Sequence, residues 1–355
     1  MGSQMRPRGE WAGAAAVVLA SMLSLVIAAS AHARSAPLIA AAGDVACGDN
    51  NPRYNGGGGT FNSCQQLLTS NLMVQRPLSA VLPLGDLQYD QSGSLESFLT
   101  SYDPTWGRLR SISHPVVGNH EYDDGLRAQG YWDYWNGVGQ GDGPAGARGR
   151  GWYSFNLGSW HLVALNSNCD RVSCFGSSRQ LRWLRRDLHE HRRRCVLAYM
   201  HHPRFSSGLY EELGDTRALW RALYRGRADV VLDGHDHLYE RFAPQRPSGV
   251  ADPSRGISQF TVGTGGYFLF PIIAPVPNSE FAYNENFGVL FMRLRPRSYG
   301  WSFVNVFGQT VDHGRRGCTR AKPTPRRHKH HHHHGSGQGE KRIDAPGAAT
   351  RRSSG

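Results

Sequence analysis

The chain has 355 residues, enough for one large domain or two smaller ones, and carries a formal net charge of +12. Most of that charge belongs to the ends: residues 315–355 hold +9 and residues 1–33 hold +1, which leaves +2 for everything between. A nearly neutral domain argues against a specific nucleic-acid partner. The basic, Pro/Gly/Ser-rich tail at 319–355, with His328 and the histidine run 330–334, reads as a disordered segment able to touch anionic surfaces.

At the N-terminus, Arg6 and Arg8 precede an apolar run, 12–29, and Ala31-His32-Ala33 follows the small-x-small pattern of a signal-peptidase site. About 18 apolar residues can just span a bilayer, but the alanine content and the cleavage pattern favour removal of residues 1–33 and secretion. The six cysteines are even in number and include no CxxC pair, which fits disulfides in an exported protein. Proximity in sequence pairs Cys47 with Cys64 and Cys169 with Cys174, leaving Cys195 for Cys318.

In chain order, residues 38–42 form an apolar run ending at Gly43-Asp44, strand then loop, and 56–59 are a flexible glycine loop. Residues 64–75 have apolar positions at 67, 68, 72 and 74 and predict a helix. The run 79–84 is a buried strand that feeds Gly85-Asp86, and 115–117 runs into Gly118-Asn119-His120-Glu121. Residues 130–135 are rich in aromatics, and 137–151 is a polar glycine-rich loop. Residues 152–155 and 161–165 read as paired strands. Leu181, Leu184 and Leu188 give 178–194 the apolar stripe of an amphipathic helix. A strand at 196–200 ends at His201-His202, a helix follows at 216–224, and a strand at 230–232 ends at Gly234-His235-Asp236-His237. Late strands are expected at 257–262, 287–294 and 301–306. Helices and strands alternate first and strands dominate later, so the chain reads as one α/β domain.

Five of these runs, 115–117 among them, read as strands whose ends carry side chains of metal-binding type: Asp44; Asp86 with Tyr89; Asn119 with His120; His201; and His235 with His237. Parallel neighbours in a sheet would bring them together at one edge. Nitrogen and hard oxygen donors without thiolate suit iron, zinc or manganese. Asp44, Asp86, Tyr89, Asn119, His201, His235 and His237 are more donors than one ion needs, and a carboxylate can bridge two.

Gly43-Asp44, Gly85-Asp86-Leu87-Gln88-Tyr89, Gly118-Asn119-His120-Glu121, Met200-His201 and Gly234-His235-Asp236-His237 resemble the ordered motifs of the calcineurin-like metallophosphoesterases. Tyr89, three residues after Asp86, and His235-Asp236-His237-Leu238-Tyr239-Glu240-Arg241 resemble the purple acid phosphatase branch. The resemblance covers roughly residues 38 to 310. It implies a catalytic domain at 34–318 with a four-layer α/β-β/α sandwich, two mixed sheets flanked by helices. It also implies a binuclear metal centre. Asp44, Tyr89, His237 and a bridging Asp86 would take ferric iron; Asp86, Asn119, His201 and His235 would take a divalent iron, zinc or manganese ion.

The activity implied is hydrolysis of small phosphate monoesters by a metal-bound hydroxide, as in acid phosphatases. A phosphodiesterase or nucleotidase of the same superfamily is the alternative within enzymes. A metal- or phosphate-binding surface protein without turnover is the alternative outside them. His120, beside a metal-binding asparagine, is expected to protonate the leaving group or to stabilise the transition state. His202 is expected to turn from the ion toward substrate. Plant-type members carry further histidines shortly after the metal-binding one, whereas residues 206–212 here have none. Glu211, Glu212 or His202 are the candidates to stand in.

Overall fold

The computed structural model describes residues 36–319, except 90–92, 124, 126, 192–194 and 211–213. The expected leader, the tail beyond residue 319 with its histidine run, and Glu211 and Glu212 lie outside the described residues. In chain order the elements are β1 (Leu38–Ala42), α1 (Gln66–Val74), β2 (Ala80–Pro83), α2 (Leu95–Ser97), α3 (Gln129–Asn136), β3 (Tyr153–Leu157), β4 (Trp160–Ala164) and α4 (Arg179–Glu190). There follow β5 (Cys195–Tyr199), α5 (Arg217–Arg225), β6 (Val230–Asp233), β7 (Tyr239–Phe242), β8 (Ser258–Val262), β9 (Ser279–Tyr283), β10 (Gly288–Arg295), β11 (Ser298–Asn305) and β12 (Thr310–Gly317).

The strands form two mixed sheets. One has the order β12-β11-β10-β1-β2, and only β1 and β2 are parallel in it. The other has the order β3-β4-β5-β6-β8-β7-β9, with β4, β5, β6 and β8 parallel. β5 is buried on both faces, which is why it reads as an unbroken apolar run. Leu197 and Tyr199 join the core shared with the first sheet. Val196, Ala198 and Met200 face Leu181, Leu184 and Leu188 of α4 and Leu219, Trp220 and Leu223 of α5. Each buried leucine of that stripe contributes about 1.5–3 kcal/mol, so the arginine-rich α4 is held by one face alone.

Three disulfides form, Cys47–Cys64, Cys169–Cys174 and Cys195–Cys318, the pairs that proximity suggests. Other expectations need correction. Residues 115–117 are not a ladder strand. His114 N and Val116 N donate to Val81 O and Pro83 O beside β2 (2.9 and 3.0 Å), while Pro115 has no N–H to extend the pairing. The aromatic stretch is α3, with Tyr131, Trp132, Tyr134 and Trp135 all buried. β7, β9 and β12 are additional strands; their alternating or polar residues hide them among loops.

The donor-bearing ends do not belong to one sheet. β1 and β2 lie in the first and β5 and β6 in the second. Backbone bonds join the two where the strands end: Gly43 N to Val262 O and Gly265 N to Gly43 O, both 2.8 Å.

Candidate metal centre

Three of the donor residues sit in left-handed backbone conformation: Asp44 (φ 61°), Asp86 (φ 49°) and His235 (φ 69°). A non-glycine residue costs about 1 kcal/mol or more there, and surrounding bonds must impose it. Asp44 N donates to Gly85 O (3.0 Å), and His235 N donates to Asp44 Oδ2 (2.9 Å). These sharp turns fold the side chains back over the strand ends. The preceding glycines make the approach possible. A Cβ on Gly118 would lie 2.1 Å from Asp86 Oδ1, and one on Gly85 would lie 2.7 Å from His201 Nδ1.

All seven expected metal-binding residues come together, in two groups. Tyr89 OH lies 2.8 Å from both Asp44 Oδ1 and His237 Nε2, which are 3.2 Å apart. His201 Nε2 lies 3.0 Å from Asn119 Oδ1, 3.2 Å from Asp86 Oδ2 and 3.2 Å from His235 Nδ1. Donor atoms of Asp44, Asp86 and His201 lie within 4.8 Å of one another and link the groups. Metal bonds of about 2.0–2.2 Å at right angles put neighbouring donors about 3 Å apart, which is this spacing.

The proton chemistry fits a cation as well. His201 Nδ1 is 2.9 Å from Leu84 O, which can only accept, so Nδ1 holds a proton and Nε2 faces two oxygens, where it carries either a second proton or a metal ion. Burial alone would lower His201 and raise Asp86. Their mutual attraction overrides it, lifting the imidazole to about 9 and holding the carboxyl well below its usual range. The pair is built around a positive charge, for which a metal ion competes with a proton. Burial, then Asp44, push the Tyr89 phenol well above 10, so only a strongly acidic cation displaces its proton.

His120 stands over this cluster. Its backbone N–H donates to Asp86 Oδ1 (2.9 Å), its Nε2 is 3.9 Å from Asp86 Oδ2, and its ring lies 4.4 Å from that of Tyr89. Its Nδ1 is 2.6 Å from Asp123 Oδ2. His202 borders the second group: its ring lies 4.4 Å from that of His235, and a ring nitrogen lies within 4.8 Å of those of His201 and His235. Ser167 Oγ accepts from its backbone N–H and meets its Nδ1, both at 2.9 Å, and the ring lines a cavity of about 210 Å³ shared with His235. Burial, then His201, lower His202 to about 3, so it is a neutral hydrogen-bonding ring.

Several further residues, whose roles their sequence positions do not reveal, shape the site. Glu121 is fully buried, and its carboxylate accepts from four backbone N–H groups: Asp86 (3.1 Å), Leu87 (2.6 Å), Gln88 (3.3 Å) and Gly118 (2.6 Å). It fastens the Asp86 loop to the Asn119 loop. Asp236 accepts from Ser206 Oγ, Leu209 N (3.1 Å) and Tyr210 N (3.3 Å), and Glu240 accepts from Ser207 N (2.9 Å). These bonds lay Tyr210 over the His235 ring at 4.4 Å. On the other side Phe270 stacks on His237 at 4.0 Å and Tyr267 on Tyr89 at 3.6 Å. The signal for this rim was an aromatic cluster after Gly265-Gly266, directly beyond β8, the same strand-end position that marks the donors.

Comparison with known proteins agrees with this geometry. Residues 38–239 match the family model described as calcineurin-like phosphoesterase. Purple acid phosphatase 21 of Arabidopsis thaliana is 38% identical over 121 residues, covering 32% of this chain and 26% of that protein. Fe(3+)-Zn(2+) purple acid phosphatase 12 of the same plant is 26% identical over 254 residues, covering 62% and 52%. The chain thus spans about a quarter to a half of these relatives' length. A purple acid phosphatase from yellow lupin seeds superposes with a TM-score of 0.62 over 80% of this chain and 54% of that one, at 18% identity, which shows a common fold. The family match begins with β1, ends just past His237 and so spans every loop that delivers a donor; the chain belongs to the calcineurin-like phosphoesterases.

Proposed function

We propose that this chain is a secreted phosphoesterase of the purple acid type that hydrolyses phosphate monoesters at a two-ion centre. One observation carries the reading: seven oxygen and nitrogen donors converge in two groups linked through the buried carboxylates Asp44 and Asp86. Asp44, Tyr89, His237 and Asp86 would hold ferric iron, the ion acidic enough to take a phenolate. Asp86, Asn119, His201 and His235 would hold divalent iron, zinc or manganese, and the iron–zinc name of a relative supports the pairing. When bound, such a pair supplies a nucleophile in mildly acidic or neutral solution and neutralises charge on the phosphoryl oxygens.

The side chains do the rest. Glu121 holds the Asp86 and Asn119 loops at a fixed separation, so the two groups of donors keep their spacing. His120 delivers the proton that the departing alkoxide needs. Asp123 accepts from its Nδ1, which orients the ring and leaves Nε2 facing the centre. His202, with Nδ1 engaged by Ser167, offers Nε2 to a substrate oxygen in the cavity beside His235. Three disulfides support export.

The test pairs chromogenic monoester and diester substrates with metal analysis of wild type and His120→Ala. We expect monoester turnover, and a kcat about 10²–10⁴ lower in the variant at unchanged metal content. An unchanged kcat would remove His120 from the chemistry. A preference for diesters would make the protein a phosphodiesterase, and a full metal load without hydrolysis would make it a binding protein.

A further inference from the structure

One face of the first sheet gathers positive charge that its own residues do not balance. Along β10, Phe291, Arg293 and Arg295 share one face, and Leu290, Met292 and Leu294 share the other. Strand pairing carries the first face across the sheet. Arg293 pairs with Leu38 of β1 on one side and with Gly300 of β11 on the other, and Gly300 pairs with Arg315 of β12. Arg293 and Arg315 are thus two strands apart, about 10 Å, with no side chain between them. Arg295 leans into this gap: a Cβ on Gly300 would lie 3.0 Å from its Nη1. Arg76, just past α1, closes the near end with its guanidinium 3.9 Å over the Phe291 ring. The result is an open cavity of about 310 Å³ whose lining includes these four arginines and no acid.

The arginines are held in place but not neutralised. Arg293 Nη1 donates to Ala36 O (2.9 Å), and Arg315 Nε and Nη2 donate to Ser298 Oγ (3.3 and 3.2 Å). Among the described residues none of the four makes an ion pair. Arg316, the next residue along β12, does pair, with Glu280 on the opposite face. Like charges around one cavity repel, and neutral partners do not relieve that. A ligand that brings several negative charges into a small volume does. A carboxylate brings one charge per group and a phosphoryl group up to two, and the guanidinium fork meets phosphoryl oxygens two at a time. The cavity has the room of about ten waters, more than one phosphoryl group takes up.

We propose that this cavity is a binding site for a diphosphate, held by Arg76, Arg293, Arg295 and Arg315 as a ligand and not as a substrate. The site is remote from the metal centre. Leu38 opens β1 and Asp44 lies beyond its far end, about 20 Å away at about 3.3 Å per residue. No group bound here reaches the donors, so the site stands independently of the phosphoesterase reading.

The probe is methylenediphosphonate, whose carbon bridge a phosphoesterase does not cleave. Calorimetric titration of wild type should show a site that Arg295→Gln and Arg315→Gln each weaken about tenfold or more, the scale of one lost charge-assisted contact. Arg297→Gln removes the same charge from an exposed neighbour outside the lining and should leave that site within about twofold. The variants should keep a native far-ultraviolet circular dichroism spectrum and wild-type hydrolysis of a chromogenic monoester, so that a lost site is not a lost fold. Part of the heat belongs to the metal centre, so inhibition of that hydrolysis by the diphosphonate is followed alongside and should be the same in all variants. Citrate, a polycarboxylate of similar size, should bind the Arg295-dependent site about tenfold more weakly or worse. Binding that Arg295→Gln and Arg315→Gln leave intact overturns the proposal, and so does an equal loss in Arg297→Gln, which would reduce the effect to net charge. Citrate bound as tightly as the diphosphonate overturns the choice of phosphate.

Discussion

Glu121→Gln tests the architecture of the centre without touching a donor. The carboxylate serves four backbone N–H groups, two per oxygen: Asp86 and Gly118 at one, Leu87 and Gln88 at the other. An amide keeps one oxygen and turns an NH2 toward the remaining pair, so two charge-assisted bonds are lost in a fully buried place. At about 1.5–3 kcal/mol each, that is a loss of about 3–6 kcal/mol. Part is recovered, because burial, then Asp86, push the Glu121 carboxyl up and the neutral amide relieves both. A net loss of about 2–4 kcal/mol remains. Urea unfolding of wild type and variant, both in excess chelator, reads this without metal linkage. Metal analysis after dialysis then reports whether the Asp86 and Asn119 loops have separated. A variant within about 0.5 kcal/mol of wild type and fully loaded with metal would refute the role given to Glu121.

Two further substitutions probe the site and its support. Gly118→Ala pushes a methyl group into Asp86 and should weaken metal binding about tenfold or more while the far-ultraviolet circular dichroism stays native; full metal content would show that the loop yields easily. Burial lifts the Asp229 carboxyl to about 6, against hydrogen bonds from Val196 and Thr319. The folded state therefore binds this proton more tightly than the unfolded chain. Its contribution is complete below about pH 4 and is lost as pH rises through about 6. Relative to Asp229→Asn, wild type should lose up to about 3 kcal/mol of stability between about pH 4 and pH 7, and a difference that does not change with pH contradicts this.

The convergence of the candidate ligands was legible because they break a pattern. Short polar side chains at the ends of fully apolar runs have no packing role, and glycines beside them mark turns that ordinary residues enter only under constraint. The disulfides were legible because two pairs close short loops and leave one choice. Glu121 was hidden for a different reason: three of its four partners are backbone N–H groups more than thirty residues away, which no spacing reveals. Asp123 looks like any loop carboxylate until its contact with His120 is seen. The division of the donors between two sheets was equally invisible. β1 and β5 read alike, and only the late strand β10, pairing antiparallel with β1, separates their sheets. Residues 115–117 misled because extended chain beside β2 shows the same apolar signal as a ladder strand.

The central claim is that Asp44, Asp86, Tyr89 and His237 hold ferric iron beside a second ion. A visible spectrum of the purified protein with metal analysis, repeated on Tyr89→Phe, tests it most directly. Wild type should contain iron and show a phenolate-to-iron charge-transfer band that disappears in the variant. A colourless, iron-free protein that still hydrolyses phosphate esters, or a band that survives in Tyr89→Phe, would contradict it.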